Sequence, residues 1–361
     1  MPDFSSFSPL LNVALFAVAA IVVWLAGARL ARYAAAISAV TGLGQAVIGI
    51  VLLAGVTSLP EIGVVLTSAA RDNADLALNS IFGSIALQVA LLAVVDFVIG
   101  RRALTAVVPE PGVMLQGSLN VILIAAAAAA MIVGDVPVLG IGLWAWGLML
   151  AYLVSVWVLA GAEGRRPWLA ARDGRVDRAI VEEPAGGGQG GRKGTHGGCA
   201  QGSLSSLVPR TAAAGITILI AGFILAQSGE ALADQTGIGS SFIGFVLVAF
   251  ATSLPELSTA LSSARQGLFT MAISDILGTN LINVAMVFLI DLVAPGEPVM
   301  TRAGAFSVFG VLLAVVVTAL FLAGLAERRD RSLLRMGYDS ILVLAVYAGG
   351  LVFLYFLRQQ P

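Results

Sequence analysis

The chain has 361 residues, of which 58% are hydrophobic and 11% charged, with a mean hydropathy of +0.96. A soluble chain carries about a quarter charged residues, so this composition excludes a water-soluble globular protein and requires lipid as solvent. The net charge of −1 comes without a basic stripe for nucleic acid, and one cysteine (Cys199) and one histidine (His196) exclude an internal disulfide, a cysteine-rich metal site and bis-histidine haem ligation.

Windows of about 20 apolar residues predict ten membrane spans. In chain order they cover 9–29, 41–69, 74–99, 113–133, 137–161, 208–229, 238–264, 268–294, 303–323 and 339–357. Helices are expected throughout, because open strands in lipid leave backbone groups unpaired. The opening "MPDFSSFSPL" lacks a positive n-region, so the first apolar stretch is expected to stay in the membrane. The expected organisation is a first five-helix unit over 1–161, a flexible linker over 162–207 around "AGGGQGGRKGTHGG", and a second five-helix unit over 208–361. With the N-terminus outside, 17 of the 20 basic residues fall on the inner side and only Arg71, Arg302 and Arg358 on the outer side. This positive-inside bias predicts external termini and a cytoplasmic linker, in the cell (inner) membrane.

The second and seventh windows both contain "TSLPE", at Thr57–Glu61 and Thr252–Glu256. Shifting the chain by 195 residues aligns Thr41–Asp96 with Thr236–Asp291 without a gap, and 22 of the 56 pairs are identical. An odd number of spans per copy makes the two copies enter the membrane from opposite faces. The predicted fold is an all-α membrane protein of ten transmembrane helices in two inverted five-helix repeats. Such repeats, with polar and proline-interrupted segments at matching places, are the sequence mark of a secondary transporter with a midplane site.

Thr57 and Glu61 stand four residues apart, on one helix face beside Ser58; Thr252, Ser253 and Glu256 repeat the arrangement. Pro60 and Pro255 lack an N–H, so the carbonyls of Val56 and Ala251 lose their helical partners. Carboxylate, hydroxyl and carbonyl oxygens suit hard cations such as Ca²⁺ and Na⁺. "SLPE" also reads as a capping box with Ser58 or Ser253 as N-cap. A carboxylate at membrane depth costs about 2.5–3.5 kcal/mol, however, and a cap alone is served by glutamine. In the third and eighth windows, "GSIALQ" and "GTNLIN" supply Gly83, Ser84 and Gln88, and Gly278, Thr279 and Asn283, with polar pairs again four apart. The glycines are expected to admit a neighbouring helix. Asp96 and Asp291 are expected to be structural or interfacial. Asp75 and Asp275 are expected at helix beginnings, where a carboxylate suits the dipole.

These blocks resemble the alpha repeats of the cation/calcium exchanger superfamily, most closely its sodium/calcium exchanger branch. The resemblance implies antiport of Ca²⁺ against Na⁺ by alternating access, with no enzymatic activity, no cofactor and no obligatory protein partner beyond lipid and the transported cations. It implies that Glu61 and Glu256 share Ca²⁺, that Thr57, Ser58, Thr252 and Ser253 give oxygens, and that the carbonyls of Ala54 and Ala249 help bind Na⁺. Ser84, Gln88, Thr279 and Asn283 complete the flanking positions, and the first and sixth spans slide across this core. The chain departs from the pattern at Ile85, Gln88 and Asn283. A proton- or K⁺-coupled Ca²⁺ exchanger is the alternative within the superfamily. A cation channel with a carboxylate ring shares the ligand chemistry, whereas a serine protease would need a basic residue within a span, and the only His and Lys lie in the linker.

Overall fold

The computed structural model describes residues 4–71, 73–99, 104–107, 111–162, 203–236, 242, 244–294, 296–327, 332–333 and 336–357. The predicted linker lies outside them except at its ends, as do His196 and Cys199. In the first half, α1 spans Pro9–Thr41, α2 Gln45–Thr57, α3 Leu59–Ala70, α4 Ala74–Ile99, α5 Leu104–Val107, α6 Pro111–Val133 and α7 Leu143–Ala162. In the second, α8 spans Leu204–Thr236, α9 Phe245–Thr252, α10 Leu254–Arg265, α11 Phe269–Val293, α12 Val299–Arg302, α13 Ala305–Glu327 and α14 Tyr338–Leu357. Two antiparallel hairpins, β1 (Pro137–Val138) with β2 (Ile141–Gly142) and β3 (Ser332–Leu333) with β4 (Met336–Gly337), precede α7 and α14.

Among the described residues eight helices are long and apolar enough to cross a membrane, and the bent pairs α2–α3 and α9–α10, each taken as one span, bring the number to ten. The pairs bend by 43° and 49° at Ser58 and Ser253, just before the prolines that remove a backbone donor. Each broken span carries a wide-turned π-helical segment before its break, Ile48–Leu53 and Gly244–Val248.

The repeat extends far beyond the 56 residues that align by identity. Helix starts at 9 and 204, 59 and 254, 74 and 269, 104 and 299, and 143 and 338 are each 195 apart, and so are the hairpin starts at 137 and 332. A pair of acids ties the same joints in both halves. Asp96 accepts from Leu104 N at 2.7 Å and Gly337 N at 2.8 Å; Asp291 accepts from Val299 N at 2.7 Å and Gly142 N at 2.9 Å. Each acid thus closes its own helix end and holds the hairpin of the opposite half, the structural role expected of it.

Helices α4 and α11 form the centre. In their most apolar windows 83% and 72% of residues are buried, against 22–50% for the other long helices. They cross with close backbone approach. A Cβ on Gly83 of α4 would strike the backbone of Phe245, and one on Gly278 of α11 would lie 2.9 Å from Ile50 Cα. Phe245 and Ile50 themselves sit in the two broken spans, so each glycine seats the broken helix of the other half.

Three spans differ most from the sequence reading. Helix α1 runs to Thr41 rather than 29, because nothing stops it before Gly42, whose positive φ of 73° caps it. Helix α8 likewise covers Leu204–Thr236 rather than 208–229. Residues 137–142, placed in the fifth span, form a hairpin turning through Leu139 (φ 57°) and Gly140 (φ 82°).

Candidate cation site

The two breaks meet at the middle of the bundle. Thr57, Ser58, Ser84, Gln88, Ser253, Glu256, Thr279 and Asn283 are 0% exposed, Thr252 is 1% exposed and Glu61 3%. Cross-repeat contacts follow the pseudo-symmetry. Thr57 Oγ1 lies 3.5 Å from Thr279 Oγ1, and Ser84 Oγ lies 3.4 Å from Thr252 Oγ1. Each broken span therefore presents its threonine to the crossing helix of the other half.

The symmetry fails at the carboxylates. Gln88 Nε2 donates to Glu61 Oε1 and to Ser253 Oγ, each at 3.3 Å. Its counterpart Asn283 is one methylene shorter, and neither its amide nor either oxygen of Glu256 has a hydrogen-bond partner. Glu61 Oε2 is also unpartnered. Buried polar atoms without partners are rare and call for a physical reason, and a cation supplies one here.

The serines occupy the N-cap position of α3 and α10 without capping through their side chains. Ser58 Oγ instead donates backwards to Ala54 O at 2.6 Å. Ala54 O already takes Ser58 N at 3.0 Å, and Ala249 O takes Ser253 N at 3.0 Å and the Thr252 hydroxyl at 3.3 Å. These two alanine carbonyls are thus engaged within the helix, whereas the prolines deprive those of Val56 and Ala251 of their usual helical donors.

One acid departs from its expected place. Asp275 is not in the first turn of α11, which starts at Phe269 and holds no acid in its first turn. It is 0% exposed and accepts a hydrogen bond from Thr259 Oγ1 through Oδ2. The signal was present in the repeat alignment. At the 195-residue offset Asp275 matches Ser80 and its partner Thr259 matches Val64, two coupled polar changes in one half only. Among the described residues no three acidic, histidine or cysteine side chains converge on a single point, so Asp275 stands beside the glutamate pair rather than within it.

An inverted ten-span bundle with acids at two crossed helix breaks is the architecture of a secondary cation transporter. The family model for sodium/calcium exchanger proteins matches residues 11–161 and 209–356, and the chain belongs to this family. It is 26% identical over 290 residues to the inner membrane protein YrbG of Escherichia coli, covering 80% of this chain and 82% of that one. It is 42% identical over 55 residues to the sodium/calcium exchanger MaX1 of Methanosarcina acetivorans, 15% of this chain and 16% of that one. The fold is that of the sodium-calcium exchanger NCX_Mj, with a TM-score of 0.66 at 17% identity over 96% of this chain and 99% of that one.

Proposed function

We propose that this antiporter exchanges Ca²⁺ for Na⁺ across the inner membrane, with Glu61 and Glu256 holding Ca²⁺ between the two repeats. The observation that carries the reading is the pair of buried glutamates, one from each helix break, with three of their four oxygens unpartnered. A dehydrated divalent cation needs compensating negative charge and several oxygens, and this pair supplies both. Thr57, Ser58, Thr252, Ser253, Ser84, Gln88, Thr279 and Asn283 line the same space, with the Ala54 and Ala249 carbonyls at its edge. Transport runs by alternating access, α1 and α8 sliding as a pair over the central helices. Both termini lie outside and the 162–207 linker lies in the cytoplasm.

The test is radioactive calcium uptake into proteoliposomes with imposed Na⁺, K⁺ or H⁺ gradients. Uptake driven uphill by an outward Na⁺ gradient alone is the expected result. Uptake that follows only K⁺ or H⁺ reassigns the coupling ion, and passive equilibration reassigns the protein as a channel. Glu61→Gln and Glu256→Gln should each abolish Ca²⁺ exchange while preserving a monodisperse folded protein. Retained exchange in either variant would falsify the site assignment.

A further inference from the structure

The glutamate pair leaves Asp275 unexplained. This aspartate is fully buried in α11, one helical turn (about 6 Å) before Thr279, on the side where α10 ends at Arg265. Only one of its oxygens is used, by the Thr259 hydroxyl of the packed helix α10; Oδ1 has no partner. No described Lys or Arg pairs with it. The Thr57 hydroxyl lies 3.5 Å from that of Thr279, one turn along α11 from Asp275. A helix cap does not account for the acid, because α11 begins six residues earlier. A purely structural hydrogen bond does not account for it either, because the first half uses neutral Ser80 at the same place, bonded to Ala77 O at 2.9 Å.

We propose that Asp275, with the hydroxyls of Thr259 and Thr57, forms a second cation position beside the glutamate pair, taking a monovalent hard cation of the Na⁺ class. One carboxylate and two hydroxyls are too few anionic oxygens for Ca²⁺, which takes six to eight oxygen ligands and usually several carboxylates. They do match a single positive charge. With Glu61 and Glu256 the core then carries three carboxylates, so one Ca²⁺ leaves one negative charge for the monovalent ion. Thr57 belongs to both positions and couples them, so that filling one reorients an oxygen of the other. The inference rests on the central-site reading for its setting, but its own evidence is the orphaned oxygen of Asp275.

The test uses the full-length protein, in detergent and in proteoliposomes, with choline replacing Na⁺ as the inert control. Wild type should be thermally stabilised by Na⁺ in the absence of Ca²⁺. In Asp275→Asn that stabilisation should weaken markedly and half-saturating Na⁺ for Ca²⁺ flux should rise about tenfold or more, as expected for loss of a charged partner. Ca²⁺-induced stabilisation should persist. Thr259→Val, which keeps the charge, should shift Na⁺ dependence in the same direction by less. A fall in melting temperature that is equal with and without Na⁺, with Na⁺ dependence unchanged, overturns the proposal. If Asp275→Asn does not fold, unchanged Na⁺ dependence in both Asp275→Glu and Thr259→Val overturns it equally. Ca²⁺ exchange surviving in Glu61→Gln or Glu256→Gln would remove the glutamate site instead, and the Na⁺ stabilisation assay would still decide Asp275.

Discussion

Gln88 and Asn283 occupy equivalent places and differ by one methylene, and that difference decides which glutamate is held. The longer amide reaches Glu61; the shorter one leaves Glu256 and itself unpartnered. Asn283→Asp would set a carboxylate directly beside Glu256, where like charges repel and a further cation is favoured. The expected outcome is a change in the counter-ion dependence of Ca²⁺ flux larger than the change in apparent Ca²⁺ affinity. Flux measured against Na⁺, K⁺ and H⁺ concentration for both proteins checks this, and superimposable curves would put Asn283 outside the site. Most candidate residues were legible because "TSLPE" is repeated in a setting that makes a carboxylate expensive. Asp275 was not, because an acid near a helix start has an ordinary explanation until its depth and its neighbour Thr259 are known.

At the scale of the elements, the crossing of α4 and α11 over the broken spans sets the geometry of the site. Gly83 abuts the Phe245 backbone, whereas the open surroundings of Gly63 leave room for a methyl group. Forcing a Cβ into a packed backbone contact costs about 1–3 kcal/mol. Gly83→Ala should therefore lower the melting temperature in detergent by several degrees, and Gly63→Ala should leave it unchanged or slightly raised. Equal effects would mean that the crossing is looser than described. The central helices were visible as apolar windows, but the extent of α1 was not. Arg29 and Arg32 ended the window, yet charged residues at a membrane surface do not end a helix; Gly42 does. The hairpin at 137–142 was hidden because "PVLGIG" is as apolar as the helix that follows it.

Over the whole molecule, sequence identity reveals the duplication only across 56 residues, while the structure carries the 195-residue offset from α1 to α14. Lipid-facing side chains exchange freely among apolar types, so identity fades there, whereas helix ends and the Asp96 and Asp291 ties keep their places. Removing one tie should loosen the joint between halves. Asp291→Ala leaves the N–H groups of Val299 and Gly142 without acceptors, and buried donors left so cost about 1–3 kcal/mol each. A lower melting temperature with unchanged ion dependence is the expected result. Orientation has its own reporter in Cys199, the sole thiol. A membrane-impermeant maleimide should label it in inverted vesicles and spare it in intact spheroplasts; the reverse pattern inverts the proposed topology.

Helices α1 and α8, proposed to slide, rest on seams that are not equivalent. On one, Gly27 of α1 lies against Ser258 and the Pro255 carbonyl, while Ser258 Oγ donates to Trp24 O at 2.5 Å and Ser262 Oγ to Ala28 O at 3.4 Å. On the other, Gly222 of α8 meets the Pro60 ring, and the residues matching Ser258 and Ser262 are Gly63 and Thr67, whose hydroxyl donates to Gly63 O at 2.8 Å within its own helix. One latch is thus fastened by two hydroxyls, and its mirror image has one to offer. A net hydrogen bond is worth about 0.5–1.5 kcal/mol, so the protein at rest should favour the conformer with the α1–α10 latch shut by roughly two- to tenfold. Ser258→Gly makes the latches alike and should level that preference. A thiol placed at position 67 in a Cys199→Ser background reads the balance through its labelling rate. The two directions of transport then begin from unequal waiting states, and the repeat symmetry of the fold does not extend to the kinetics of the cycle.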